Sequence, residues 1–172
     1  IQKMIRSMIR NTLLSNLNEQ GQMDEISFQD AMTLFRNLFL EPADLWLSNE
    51  NLQELDIEQL TDMVYEKAKD VYDQKEQTFG ASVMRELERV FMLRTVDEFW
   101  MDHIDAMDDL RKGIGLRAYA QTDPVVAYKE EGYEMFEAMI AAIQQETARR
   151  LFLVRLQQAP PSDGPEPTVS VE

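Results

Sequence analysis

The chain of 172 residues is long enough for one or two small domains, but short for a motor that carries its own nucleotide site. Its net charge of −15 argues against a general nucleic-acid-binding role, because phosphate contacts require an excess of Lys and Arg. The absence of cysteine excludes disulfide bonds and thiolate zinc sites. No stretch approaches the ~20 consecutive apolar residues of a membrane span, so we expect a soluble chain.

The first part of the chain predicts two amphipathic or buried helices. Over residues 1–17, Met8, Ile9 and Leu13 share one helical face. After a loop, Ser27 is the expected N-cap of a second helix, whose apolar residues fall nearly all round it and predict a buried element. Glu41-Pro42 should end this helix.

A short turn over residues 43–48 and a third helix complete this region. The side chain of Trp46 is expected to pack in a local core and so hold the turn in place. Asp56 should cap the third helix, which keeps helical spacing to about Gln77, and Gly80 is the expected break after it. Three helices and a short insert therefore predict a compact domain over residues 1–78.

Residues 84–156 read as two long amphipathic helices joined by a tight tip at about 113–122. Apolar residues recur every three or four positions on both arms, with no strand alternation. Asp123 can cap the second arm and Pro124 suits its first turn, while Gly132 costs it a little helix propensity. At ~1.5 Å per residue each arm is about 45 Å long, so we expect the tip to project.

The tip sequence combines two glycines with Arg111, Lys112, Arg117 and the aromatic Tyr119. Two interpretations of Tyr119 follow from the spacing. Either the ring is presented at the tip for contact with a partner, or it folds back onto its own stem in an ordinary helical hairpin. The spacing alone favours neither.

The hairpin sequence resembles the two-helix finger of the SecA preprotein translocase family, without a gap from Leu93 to Pro124. The strings that carry the resemblance are Trp100-x-x-His103, Asp105-Ala-Met-Asp-x-Leu110-Arg, Gly113-Ile-x-Leu-Arg117-x-Tyr-Ala-Gln-x-Asp-Pro124 and Tyr128. A looser match over residues 71–80 extends the resemblance to the helical wing domain.

This resemblance implies an all-α fold in three parts: a helical wing over residues 1–78, a helical scaffold segment over 79–157 and a Pro-rich tail over 158–172 that we expect to be disordered. It implies that Tyr119 contacts the translocating preprotein, with Arg117 and Gln121 as weaker candidates for contact with the SecYEG channel. The alternative is a passive structural scaffold without substrate contact.

The resemblance also bears on cofactors and location. The chain lacks G-x-x-x-x-G-K-[ST], so we expect no ATP hydrolysis by this segment and no cofactor in it. In the SecA family ATP and Mg²⁺ bind motor domains upstream, and the protein associates peripherally with the cytoplasmic face of the bacterial plasma membrane.

Because the chain starts without Met, we expect it to be a piece of a larger protein. Separated from the rest of that protein, it would leave an apolar stripe uncovered, which would promote self-association.

His103 is the only histidine, and Asp102, Asp105 and Asp108 lie near it in sequence. A metal site or an acid–base pair would use these groups, but transition metals usually recruit several nitrogen or sulfur donors, and the aspartates fan around the helix. We therefore expect His103 and Trp100 to lie at the edge of a helix packing contact, with the acids solvated.

Overall fold

The computed structural model describes residues 1–18, 20–41, 52, 55–117 and 123–155, with the side chains of 115–117 left out. Within these ranges all long elements are helices, which confirms the all-α prediction. In chain order they are α1 (Gln2–Ser15), α2 (Glu25–Arg36), α3 (Ile57–Phe79), α4 (Ala81–Arg117) and α5 (Pro124–Leu153). The predicted turn around Trp46 and the tail over 158–172 lie outside the described residues.

Helix α1 forms because its apolar residues recur on one face, and that face is buried. Ile5, Met8, Ile9 and Leu13 are all nearly inaccessible to solvent, and the helix packs against α3 and α5. Its polar face is joined to α3 by exposed ion pairs, of which Arg10 Nε to Glu58 Oε1 measures 2.6 Å. The predicted first helix is confirmed.

Helix α2 differs from its prediction in three respects. It ends at Arg36, before the stop expected at Glu41-Pro42. Its N-cap is Asp24, whose Oδ1 accepts a hydrogen bond of 2.9 Å from the backbone N–H of Ser27, so the prediction of Ser27 as the cap is wrong. Ser27 is instead the third residue of the helix, where the backbone N–H has no acceptor within the helix and is satisfied by the cap. The helix is also buried on one side only, since Ile26 is 75% exposed and Leu34 50%.

Helix α3 begins and ends as its sequence predicts. Asp56 Oδ1 accepts from the N–H of Gln59 at 2.7 Å, and Gln59 Oε1 accepts from the N–H of Asp56 at 2.9 Å, which is a complete capping box. The helix continues to Phe79 and stops at Gly80, whose φ of +83° is unfavourable for a residue with a side chain. Gly80 thus turns the chain directly into α4.

Helices α4 and α5 form the predicted antiparallel pair. The 37 residues of α4 continue through Gly113 to Arg117, so the described part of the expected tip is helical and the turn falls later than position 113. Helix α5 starts as predicted, with Asp123 Oδ1 accepting from the N–H of Val125 at 2.8 Å and Pro124 in the first turn. The packed length of this pair is called the stem below.

The main core lies at one end of the stem. It joins the buried faces of α1, α2 and α3 to the first turns of α4 and the last turns of α5, through Met84, Ala148, Leu151 and Phe152. Beyond Phe91, α4 runs ~40 Å further to Arg117 at ~1.5 Å per residue. The stem therefore extends away from the core. None of the described helices has the length and apolar character needed to cross a membrane.

Candidate functional site

The candidate site is the far end of the stem, where the sequence places Arg117, Tyr119 and Gln121. Arg117 is the last residue of α4, but its side chain lies outside the described part of the chain, as do Tyr119 and Gln121. Their roles stay predictions. What the structure defines is the support of the tip: the last turns of α4 and the capped first turn of α5.

The basic residues below the tip are paired within their own helix. Asp108 accepts from Arg111 Nη2 and from Lys112 Nζ, each at 2.5 Å. These bonds, that of Lys112 first, lower the pKa of the Asp108 carboxyl. All three side chains are well exposed, so these ion pairs contribute little to stability.

The two arms approach closely where α5 carries Gly132. A Cβ built on Gly132 would lie 3.0 Å from Cε of Met107, so the missing side chain leaves room for the Met107 thioether between the helices. The sequence showed only the cost of this glycine to helix propensity. Its packing role could not be inferred, since Met107 is 25 positions away in the chain.

An aromatic row crosses the stem one turn further down. The ring of His103 lies 5.9 Å from that of Trp100 and 6.0 Å, edge-on, from that of Phe136 on α5. The prediction that His103 and Trp100 lie at the edge of a helix contact is confirmed. Among the described residues no group of acidic, histidine or cysteine side chains is arranged to hold a metal ion.

One side of the stem remains apolar and exposed. On α4 its residues follow helical steps of three and four, and on α5 they do the same. The row from Trp100 through His103 to Phe136 joins the two sets across the arms. This surface, called the stem face below, consists of Leu93, Val96, Trp100, Ile104, Tyr133, Phe136 and Ile140, each between 37% and 62% exposed.

Charged groups tie the two arms together nearer the core. Arg150 on α5 donates to Glu98 on α4 at 2.5 Å and to Glu146 on its own helix at 2.8 Å. Glu146 also accepts from Arg149 at 2.6 Å. The hydrogen bonds from Arg149 and Arg150 lower the pKa of the Glu146 carboxyl to about 2, outweighing the opposite effect of its partial burial.

Lys75 on α3 holds the end of α5. Its Nζ donates to the carbonyls of Leu151 (3.1 Å), Phe152 and Val154 (3.0 Å), which are groups that a helix C-terminus leaves without partners. Burial, together with the nearby Arg155, lowers the pKa of the Lys75 ammonium. Nothing local in the sequence signals these contacts, because they span 76 to 79 positions.

Tyr72, one turn before Lys75, holds the start of α4. Its hydroxyl donates to Glu88, and Arg85 Nη2 donates to the Tyr72 oxygen at 3.3 Å. Arg85 also pairs with Glu76 and Glu88, each at 2.9 Å. Burial, and then the bond to Glu88, raises the pKa of Tyr72. Helix α3 thus fastens both arms of the stem at their base.

Comparison with known proteins gives a consistent result. A family model described as the SecA Wing and Scaffold domain matches residues 1–155. The chain is 40% identical over 181 residues to the protein translocase subunit SecA 1 of Clostridioides difficile, covering 98% of this chain and 20% of that protein. It is 58% identical over 100 residues to the protein translocase subunit SecA of Pelotomaculum thermopropionicum, covering 58% of this chain and 11% of that protein. The chain thus spans no more than a fifth of the length of these relatives.

Proposed function

The chain belongs to the SecA wing and scaffold family, and on this premise we propose that it is the part of an ATP-driven protein translocase that presents a finger tip to the moving polypeptide. The observation that carries the proposal is the stem, which extends ~40 Å beyond the core and ends at the tip sequence. A tip at the end of two packed helices can enter a narrow opening while the base stays outside.

In this proposal Tyr119 grips the translocating preprotein. A ring with one hydroxyl contacts many different side chains through apolar area and one hydrogen bond, so it does not require a particular sequence. Arg117 and Gln121, on either side, contact the SecYEG channel. ATP and Mg²⁺ bind domains outside this chain, and this segment itself is not an enzyme. The protein works on the cytoplasmic face of the bacterial plasma membrane, attached peripherally.

Disulfide cross-linking tests the proposal, since this segment contains no cysteine. Tyr119→Cys is installed in a cysteine-free parent translocase, and a single-cysteine preprotein is stalled in transit. We expect an efficient cross-link that depends on ATP. The matched control is Glu130→Cys, an exposed position on α5 below the tip, which should cross-link poorly. A cross-link at Glu130 but not at Tyr119 would contradict the proposed grip.

The exposed stem face favours a second candidate function, a structural scaffold on which other helices pack. In that case the tip is a passive turn. Tyr119→Ala separates the two functions: the finger predicts a loss of transport with an unchanged melting temperature, because a side chain beyond the core contributes little to stability. Normal transport with a lowered melting temperature would support the scaffold.

A further inference from the structure

Gly132 provides space in α5, and its backbone conformation does not require a glycine. Among the described glycines only Gly21 and Gly80 have a positive φ, so the backbone of Gly132 is one that other residues adopt freely. A Cβ on Gly132 would lie 3.0 Å from Cε and 3.5 Å from Sδ of Met107, whereas the other three glycines whose surroundings are described have nothing within 4 Å. This space, called the notch below, holds the Met107 thioether.

The notch continues the packing of the aromatic row toward the tip. Met107 follows His103 by about one turn of α4, and Gly132 precedes Phe136 by about one turn of α5. The two contacts are therefore successive layers of one antiparallel register. The axes of packed helices lie about 8–10 Å apart, depending on the side chains at the contact, and a glycine favours the short end of that range.

The notch lies where it can control the far end of the stem. From Met107 to Arg117 α4 runs ~15 Å, and from Met107 back to Phe91, where the core ends, it runs ~24 Å. A larger side chain in the notch would separate the arms by ~2 Å, the range that side-chain size produces. With the pivot at the core, the separation grows to ~3 Å at Arg117. Distances in N–H···O hydrogen bonds vary by only about 0.5 Å.

We propose that Met107 and Gly132 form a positioning contact, which sets the separation of the arms next to the tip and so the placement of the tip on its partner. The inference rests on the proposed function, in which Tyr119 grips the preprotein, and adds what holds the far end of the stem in place. Contacts such as that of Glu98 with Arg150 fix the stem nearer its base. They are too far from the tip to set the separation of the arms there.

Spin-label distances in this chain test the contact without a transport assay. The chain contains no cysteine, so labels at Asp109→Cys on α4 and Glu130→Cys on α5, both exposed, report the separation of the arms beside the notch. Gly132→Leu should lengthen this distance by about 2 Å, and adding Met107→Ala, which makes room for the leucine, should restore it. The matched control is Ala138→Leu, the same side chain at an exposed position of α5, which should leave the distance unchanged.

The fold of each variant is checked by circular dichroism. Helicity should be maintained in Gly132→Leu, since leucine has a higher helix propensity than glycine. If this variant unfolds, Met107→Ala alone replaces it and should broaden the distance distribution, because the notch is then empty. An unchanged distance, an equal change in Ala138→Leu, or no recovery in the double variant would overturn the inference.

The cross-link from Tyr119→Cys to a stalled preprotein then relates the contact to function. In the parent translocase Gly132→Leu should lose most of this cross-link, and adding Met107→Ala should regain it. Recovery distinguishes positioning from a general loss of stability. If the parent with an intact notch gives no cross-link, the proposed function fails, while the spin-label distances still test the contact. A full cross-link from Gly132→Leu, with the arms separated, would overturn the positioning role.

Discussion

Two buried threonines in the stem give the sharpest prediction about its stability. Thr95 on α4 and Thr147 on α5 are completely inaccessible to solvent, and neither hydroxyl has a hydrogen-bond partner among the described residues. A buried hydroxyl without a partner costs about 1–3 kcal/mol relative to one that stays hydrated. Valine has nearly the same shape and removes that cost. We therefore expect Thr95→Val and Thr147→Val each to raise the free energy of unfolding by about 1 kcal/mol.

Thermal denaturation followed by circular dichroism measures the effect. For a chain of this size, 1 kcal/mol corresponds to a rise of about 2–4 °C in melting temperature. Thr61→Val is the matched control: Thr61 is equally buried, but its hydroxyl donates to the carbonyl of Ile57 at 2.6 Å. This variant loses a hydrogen bond and should lower the melting temperature. If Thr95→Val and Thr147→Val lower it as well, the two hydroxyls have partners and the reasoning is wrong.

The other predictions concern the contacts that hold the stem. Because the pKa of Glu146 is about 2 in the folded chain and near 4.5 otherwise, its ion pairs stabilise the fold above pH 4.5, and this stability should be lost as pH falls toward 2. The free energy of unfolding should fall by about 1 kcal/mol, because solvent screens the ion pair with the exposed Arg149. In urea titrations at several pH values, Glu146→Gln should remove this fall in stability between pH 4.5 and pH 2. Lys75→Met should cost about 1–2 kcal/mol and speed hydrogen exchange of the Val154 amide, whereas unchanged exchange would mean that Lys75 does not hold the end of α5. Gly132→Ala should raise the melting temperature slightly, because the flexible end of Met107 can move by a few tenths of an ångström and alanine adds up to about 1 kcal/mol of helix propensity; a lower melting temperature would show that Met107 cannot move.

Local signals in the sequence predicted the local parts of this fold. The caps at Asp56 and Asp123 and the break at Gly80 each depend on a few neighbouring residues, and all three are confirmed. At α2 the prediction of Ser27 as the N-cap was wrong, because Asp24, three positions earlier, caps the helix. The bond from Asn18 to Asp24, at 3.1 Å, lies in the loop before the helix and gave no sequence signal.

Other features depend on contacts that sequence spacing does not contain. Gly113 suggested the start of a turn, yet α4 continues through it and through Gly115, since each glycine in a long helix costs only about 1 kcal/mol. The exposure of Ile26 shows that an all-round apolar pattern does not establish burial. The bond between Glu98 and Arg150 joins residues 52 positions apart, and those of Lys75 span 76 or more, so only the folded chain reveals them.

These long-range contacts matter for the proposed function because of where they lie. All of them are near the base of the stem, while the end of α4 at Arg117 is ~40 Å beyond the core, so a rotation of ~10° at the base displaces that end by ~7 Å. A hydrogen bond does not survive a displacement of that size. In the proposed function, the precision with which Lys75, Tyr72 and Arg150 fix the base therefore limits how accurately the tip is presented to a partner. Variants at the base should impair a gripping tip without altering its chemistry, whereas a passive scaffold would tolerate them.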